Sequence, residues 1–127
     1  MAVECLLDAE NELTTLVATG PVISGELGDA LRQFYADNPT RLLMWNMSSA
    51  QLDEVNAGRL RTFIRQAAQM GTRRSGGRTA IVAPQDLAFG YGRMSEAFMS
   101  AEDAPFDFRV FRTEAETRAW LFAGPET

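Results

Sequence analysis

A chain of 127 residues, 46% of them apolar, is long enough for one domain with its own core and needs no disulfide or metal to fold. Its net charge of −5 argues against general nucleic-acid binding. With no His, no Lys and one Cys it lacks the usual neutral-pH base, a Schiff-base amine, a Walker lysine, an internal disulfide and a cysteine zinc cluster.

Residues 3–8 (VECLLD) and 12–19 (ELTTLVAT) read as two short strands around a hairpin loop at 9–11, and Gly20-Pro21 ends the second. Ser24 has the place of an N-cap for a helix to Asp37, with Leu27, Leu31, Phe34 and Tyr35 as its apolar stripe and Asn38-Pro39 as its stop. Residues 41–47 (RLLMWNM) form an apolar run of the kind buried on both faces of a parallel sheet. Ser48 and Gln51 have capping-box spacing, which predicts a second helix carrying Leu52, Val55, Leu60, Phe63, Ile64 and Ala67 and ending near Gly71. The segment GTRRSGGR at 71–78 reads as the most flexible stretch. Residues 78–83 (RTAIVA) predict a further buried strand. Asp86 has the place of an N-cap for a third helix with Leu87, Met94, Ala97 and Phe98 in helical spacing. Residues 106–111 (FDFRVF) alternate like a strand near a sheet edge. Thr113 and Glu116 form another capping box, opening a short helix through Trp120 and Leu121 that Gly124-Pro125 ends.

The order is ββαβαβαβα. Alternation of strand and helix predicts one α/β domain over residues 1–127, with a mixed, mostly parallel five-stranded sheet, four helices and the antiparallel strand at an edge. Cys5 falls in the first strand and is expected to pack as a small apolar residue. Gly90-Tyr91-Gly92 lies inside the third helix, not in a strand-to-helix turn, and no third glycine follows at dinucleotide-fingerprint spacing. It predicts close packing of the helix and not a phosphate cradle.

Gly76-Gly77-Arg78-Thr79-Ala80-Ile81-Val82-Ala83-Pro84, then Phe89-Gly90, Arg93-Met94, Phe108–Phe111 and the ending FRTEAETRAWL, together with the element order, resemble the bacterial SpoIIAA-like (STAS/SEC14-like) family of small proteins and the STAS-domain fold. The likeness covers nearly the whole chain. It implies a non-catalytic binding or regulatory module without a cofactor, one that engages protein partners or apolar ligands at membranes. It also implies an alternative, an anti-sigma-factor-antagonist-like partner switch controlled by phosphorylation. The chain departs from that pattern: the stretch matching the phosphorylated turn, LDEVNAGRL at 52–60, has no hydroxyl. Ser48 and Ser49 lie just upstream, and Ser48 is the candidate phosphosite.

Three sets of residues are candidates for function. No acid occurs from Val55 to Gln85, while Arg61, Arg65, Arg73, Arg74 and Arg78 fall there, a patch suited to an anionic membrane surface or an acidic protein partner. Tyr91, Phe98 and Met99 are expected to line an apolar groove or a homodimer surface. Asp53, Glu54 and Asp86 sit at strand-to-helix turns, where carboxylates could serve acid–base chemistry or a metal, but no nucleophile–base pair accompanies them. No apolar run approaches the roughly 20 residues of a membrane span, and MAVECLLDAENEL lacks a signal peptide's basic start and apolar centre. A cytoplasmic protein with peripheral membrane contact is expected.

Overall fold

In the computed structural model, which describes residues 2–22, 24–37, 39–53 and 55–123, the chain opens with a hairpin of Ala2–Asp8 (β1) and Leu13–Pro21 (β2). The two pair antiparallel from Ala2↔Thr19 to Asp8↔Leu13. In the loop the Asp8 carboxylate accepts from Asn11 Nδ2 at 2.8 Å and Asn11 N at 3.2 Å. These donors hold its carboxyl below the usual carboxylate range. There follow α1 (Ser24–Asp37), β3 (Leu42–Gln51), α2 (Ala57–Met70), a 3₁₀ turn (Gly71–Arg74), β4 (Arg78–Val82), α3 (Asp86–Ala101), β5 (Asp107–Phe111) and α4 (Glu114–Leu121). The side chain of Ser24, together with Asn38, Glu54 and Gly124-Pro125, lies outside the described residues.

The strands lie in the order β1-β2-β3-β4-β5, with β2 to β5 parallel and β1 antiparallel at the edge. This is the expected α/β architecture with a mixed five-stranded sheet and four helices. Every parallel crossover steps in the same direction, so right-handed connections put α1, α2 and α3 on one face. Leu16, Ala18, Leu43, Trp45, Met47 and Val110 of the sheet enter that layer with Leu31, Phe34, Ile64 and Met99 of the helices. The other strand positions, Leu13, Leu42, Met44, Ala80 and Val82, meet Leu121 of α4 on the opposite face. The centres of β3 and β4 are thus covered on both sides, which explains their unbroken apolar sequences. The strand order never reverses, so the sheet has no switch-point crevice of the kind that holds dinucleotides.

Four local expectations change. Ser48 and Gln51 do not cap a helix, because β3 continues through them and pairs with β2 as far as Pro21↔Gln51. Val22 N then donates to Gln51 O at 2.8 Å, so the extended ladder satisfies backbone groups that a helix start there would leave open. Leu52 and Val55 lie in the connection, and α2 starts after Asn56, whose Oδ1 accepts from Arg59 N at 2.9 Å. Asp86 is the first residue of α3 and not its cap. Cys5 is exposed on the edge strand instead of packed in the core. Residues 71–78 are well tied, as described below. Thr113 does cap α4, its Oγ1 accepting from Glu116 N at 3.2 Å.

The two glycines of the Gly-x-Gly differ. A Cβ on Gly92 would lie 2.4 Å from Val110 Cγ2, so α3 approaches β5 more closely than any other residue permits. A Cβ on Gly90 would meet nothing within 4 Å. Gly90→Ala is therefore expected to stabilise the protein by about 0.5–1 kcal/mol through helix propensity. Gly92→Ala is expected to destabilise it by about 1–2 kcal/mol, since overpacking against a buried β-branched side chain outweighs the same gain. Urea denaturation of the two variants checks the opposite signs.

Candidate functional site

The five arginines expected to share one patch are dispersed. Arg61 and Arg65 lie on the outer face of α2, Arg61 over the ring of Phe98 at 5.6 Å and Arg65 Nε on Glu102 Oε1 at 3.2 Å. Arg73 donates through Nη1 to Tyr35 O. Arg78 lies on the opposite side of the sheet, where Nη1 donates to Trp120 O at 2.7 Å and Ala123 O at 2.9 Å and closes the C-terminal end of α4.

Arg74 leaves the surface altogether, at 4% exposure. Its Nε donates to Thr40 O (2.9 Å), Nη1 to Thr79 Oγ1 (3.0 Å) and Tyr35 Oη (3.3 Å), and Nη2 to Arg41 O (2.9 Å) and Arg78 O (2.9 Å). These bonds use every N–H of the guanidinium. The rings of Phe34 and Phe106 flank it at 5.3 and 5.2 Å. Burial pulls its pKa below the ordinary arginine value, and the Tyr35 hydroxyl partly offsets that. Arg74 is a clasp between the segments that open β3 and β4, and no donor remains for an external anion.

The expected apolar groove is likewise divided. Met99 is buried in the core, and Phe98 is half-buried beneath Arg61. Tyr91 ties α3 to the start of α2 by donating from Oη to Val55 O at 2.7 Å, and it lines a small apolar cavity of about 70 Å³ with Trp45, Met47 and Ile81. Ser48 is half-buried in β3, with its N–H on Asn46 Oδ1 at 3.0 Å. Of the carboxylates, Asp86 is paired with Arg112 at 2.7 Å and Asp53 is exposed in a turn. Among the described residues no cluster of three or more His, Cys, Asp or Glu could hold a metal, and no helix is long and apolar enough to cross a membrane.

What the fold does build is a cleft of about 580 Å³ between α1 and α2. Both helices begin at the carboxyl ends of parallel strands, β2 and β3, so their first turns stand side by side. Gly25 and Gly28 of α1 and Gly58 of α2 open the cleft, Arg32, Arg59, Thr62 and Gln66 supply its polar groups, and Phe63 lies among them. Among the described residues no carboxylate lines it, although Asp29 is paired with the lining Arg32. Gly28 leaves room for the Arg32 guanidinium to fold across the helix: a Cβ there would come within 3.4 Å of Nη1. Arg32 pairs with Asp29 in an exposed i,i+3 ion pair, which is weakly held.

The charge on α2 runs against its own dipole. Its first turn has no acid and carries Arg59, and its last turn has no base. Cations near a helix N-terminus cost about 0.3–1 kcal/mol each when the site is exposed. An anion between Arg32 and Arg59 would remove that repulsion. Arg32, Gly25, Gly28 and Gly58 escaped the arginine-run reading because the residues of the cleft come from two helices. A signal was present: each of these helices carries a glycine at its second residue, in SGELG and NAG.

No protein-family model matches the chain, and a search of curated proteins finds no match.

Proposed function

We propose that the protein is a non-enzymatic binding module of STAS-like type that takes an anionic group of an acidic protein segment, phosphate or carboxylate, into the cleft between α1 and α2. The observation that carries this reading is the glycine-opened cleft with Arg32 and Arg59 in its lining and, among the described residues, no carboxylate there. Glycines let an anion approach the backbone, and planar guanidinium groups bind oxyanions in a bidentate manner. Arg61 and Arg65 stand on the α3 side of α2, over Phe98 and on Glu102, away from this cleft, so the site rests on Arg32 and Arg59. A concave site fits a protruding chain better than a flat bilayer, and this favours a protein partner over a membrane. Among the described residues the lining holds hydrogen-bonding and cationic groups, Arg32, Arg59, Thr62 and Gln66, which suit binding an anion. The SpoIIAA-like resemblance supports the same reading through its element order.

The test is an NMR titration of isotope-labelled protein with inorganic phosphate and with an acidic peptide bearing phosphoserine. Amide shifts are expected at Gly25, Gly28, Gly58, Arg59 and Thr62, and the Arg32→Gln/Arg59→Gln variant is expected to bind at least about tenfold more weakly. Unchanged affinity in that variant, or shifts confined to the α4 face, would overturn the reading. Flotation on phosphatidylcholine vesicles with phosphatidylserine, but no peptide binding, would replace the protein partner by a membrane.

Arg59→Glu separates stability from binding. Placing an acid in the first turn of α2 is expected to raise the unfolding free energy by about 0.5 kcal/mol while removing the peptide-induced shifts. A thermal melt beside the titration reads both effects.

A further inference from the structure

The two edges of the sheet are treated differently. On β5 the backbone N–H of Val110 is taken by Glu96 Oε2 at 2.9 Å, so a side chain from α3 stops the edge. β5 also alternates Asp107 and Arg109 on one face. Both are devices that keep another strand from adding. Among the described residues no side chain takes a backbone N–H of β1 in this way, although Glu4 and Asp8 put two acids on one of its faces. That strand is seven residues long and its sequence, AVECLLD, holds no proline, lysine or arginine. Of the four exposed large apolar side chains among the described residues, two, Leu6 at 48% and Leu7 at 66% exposure, lie on it. Beside it, Val3, Cys5 and Leu7 line an open groove of about 350 Å³ against Ala30 and Phe34 of α1.

We propose that β1 is a homodimer interface, in which the β1 strands of two copies pair antiparallel about a two-fold axis through Cys5 and join two five-stranded sheets into one. The occupant follows from the strand's own sequence. A two-fold axis perpendicular to a continuous sheet pairs residues of the same face, so the dyad must pass through a residue pair. Centring on Glu4 places Glu4 against its own copy. Centring on Leu6 places Glu4 against Asp8 twice. Centring on Cys5 overlaps all of β1 and sets Val3 against Leu7, Glu4 against Leu6 and Ala2 against Asp8, with no acid facing an acid. It also sends the two acidic hairpin loops at residues 9–12 to opposite ends of the interface. On the α1 side Val3, Cys5 and Leu7 of both copies then form one apolar strip, and the two grooves become continuous.

Sedimentation velocity across a concentration series, together with a short bifunctional maleimide, tests both the dimer and its register. Because Cys5 is the chain's one cysteine, any cross-linked dimer is Cys5 to Cys5. Cross-strand neighbours bring those side chains to about 5 Å, within reach of the reagent. Wild type is expected to sediment as a dimer and to cross-link nearly completely. Leu7→Glu, at an exposed position the fold tolerates, is expected to shift the protein to monomer and abolish cross-linking. A monomer at every concentration, or a Leu7→Glu protein as dimeric as wild type, overturns the interface; a dimer that Leu7→Glu breaks but Cys5 does not cross-link overturns the register.

Discussion

Arg74→Met is expected to lower the unfolding free energy by about 3–5 kcal/mol, the sum of a few buried acceptors left without a donor, a large fraction of the roughly 5–15 kcal/mol that holds a domain of this size together. The guanidinium donates to three carbonyl oxygens and two hydroxyls that lie away from solvent. Methionine matches much of its length and none of its donors, so several buried acceptors lose their partner at about 1–3 kcal/mol for each group left wholly unsatisfied. Contact with Phe34 and Phe106 survives in part, because a thioether also packs on aromatic rings. Relief of the buried charge returns some of the loss. Among the described residues the cation has no carboxylate partner, so its removal strands no buried anion there. Arg74→Lys is expected to rescue little, since a compact ammonium has three donors and cannot span five acceptors on three separate segments. Guanidinium chloride unfolding of both variants measures the effect. A loss under about 1 kcal/mol for Arg74→Met would show that water replaces the clasp.

The periodicity of the chain exposes the architecture because each signal is local. Leu31, Phe34 and Tyr35 mark the buried side of α1, and the apolar run at 42–45 marks a strand covered on both faces. The end of β3 is not local. Ser48 and Gln51 carry a capping signal, and only pairing with Thr19–Pro21 across the sheet turns them into strand. The arginine run shows the same limit more sharply. Arg73 and Arg74 are adjacent and identical in type, yet one stays exposed and the other is enclosed. The direction of each depends on the 3₁₀ turn at Gly71–Arg74 and on the rings waiting beneath it. The cleft depends on how far α1 and α2 stand apart, a distance that no residue spacing within either helix encodes.

The glycines around Arg74 look like flexibility in the sequence and act as clearance in the fold. A Cβ on Gly71 would sit 2.1 Å from Phe106 Cε2, the ring that flanks the guanidinium. A Cβ on Gly77 would sit 2.5 Å from Arg41 O and 3.0 Å from Arg74 O. The first obstacle is a side chain, which can turn within limits. The second is backbone, which can move only by displacing strands.

Gly77→Ala is therefore expected to destabilise by about 2–3 kcal/mol, more than Gly92→Ala. Arg41 O accepts from Arg78 N at 3.1 Å and from Arg74 Nη2 at 2.9 Å, so pushing it aside strains the start of the β3–β4 pairing and the clasp at once. Gly77 itself cannot retreat: its N–H is held by Arg74 O at 2.8 Å and its carbonyl by Asp107 N at 3.0 Å. Because both substitutions disturb the same acceptor, their effects should not add. In a double-mutant cycle, Gly77→Ala combined with Arg74→Met is expected to fall short of the sum of the single losses by about 1 kcal/mol or more. Once the guanidinium is gone, displacing Arg41 O breaks one bond fewer. Additivity within about 0.5 kcal/mol would mean that the glycine serves only strand spacing and that the clasp is held by its other acceptors.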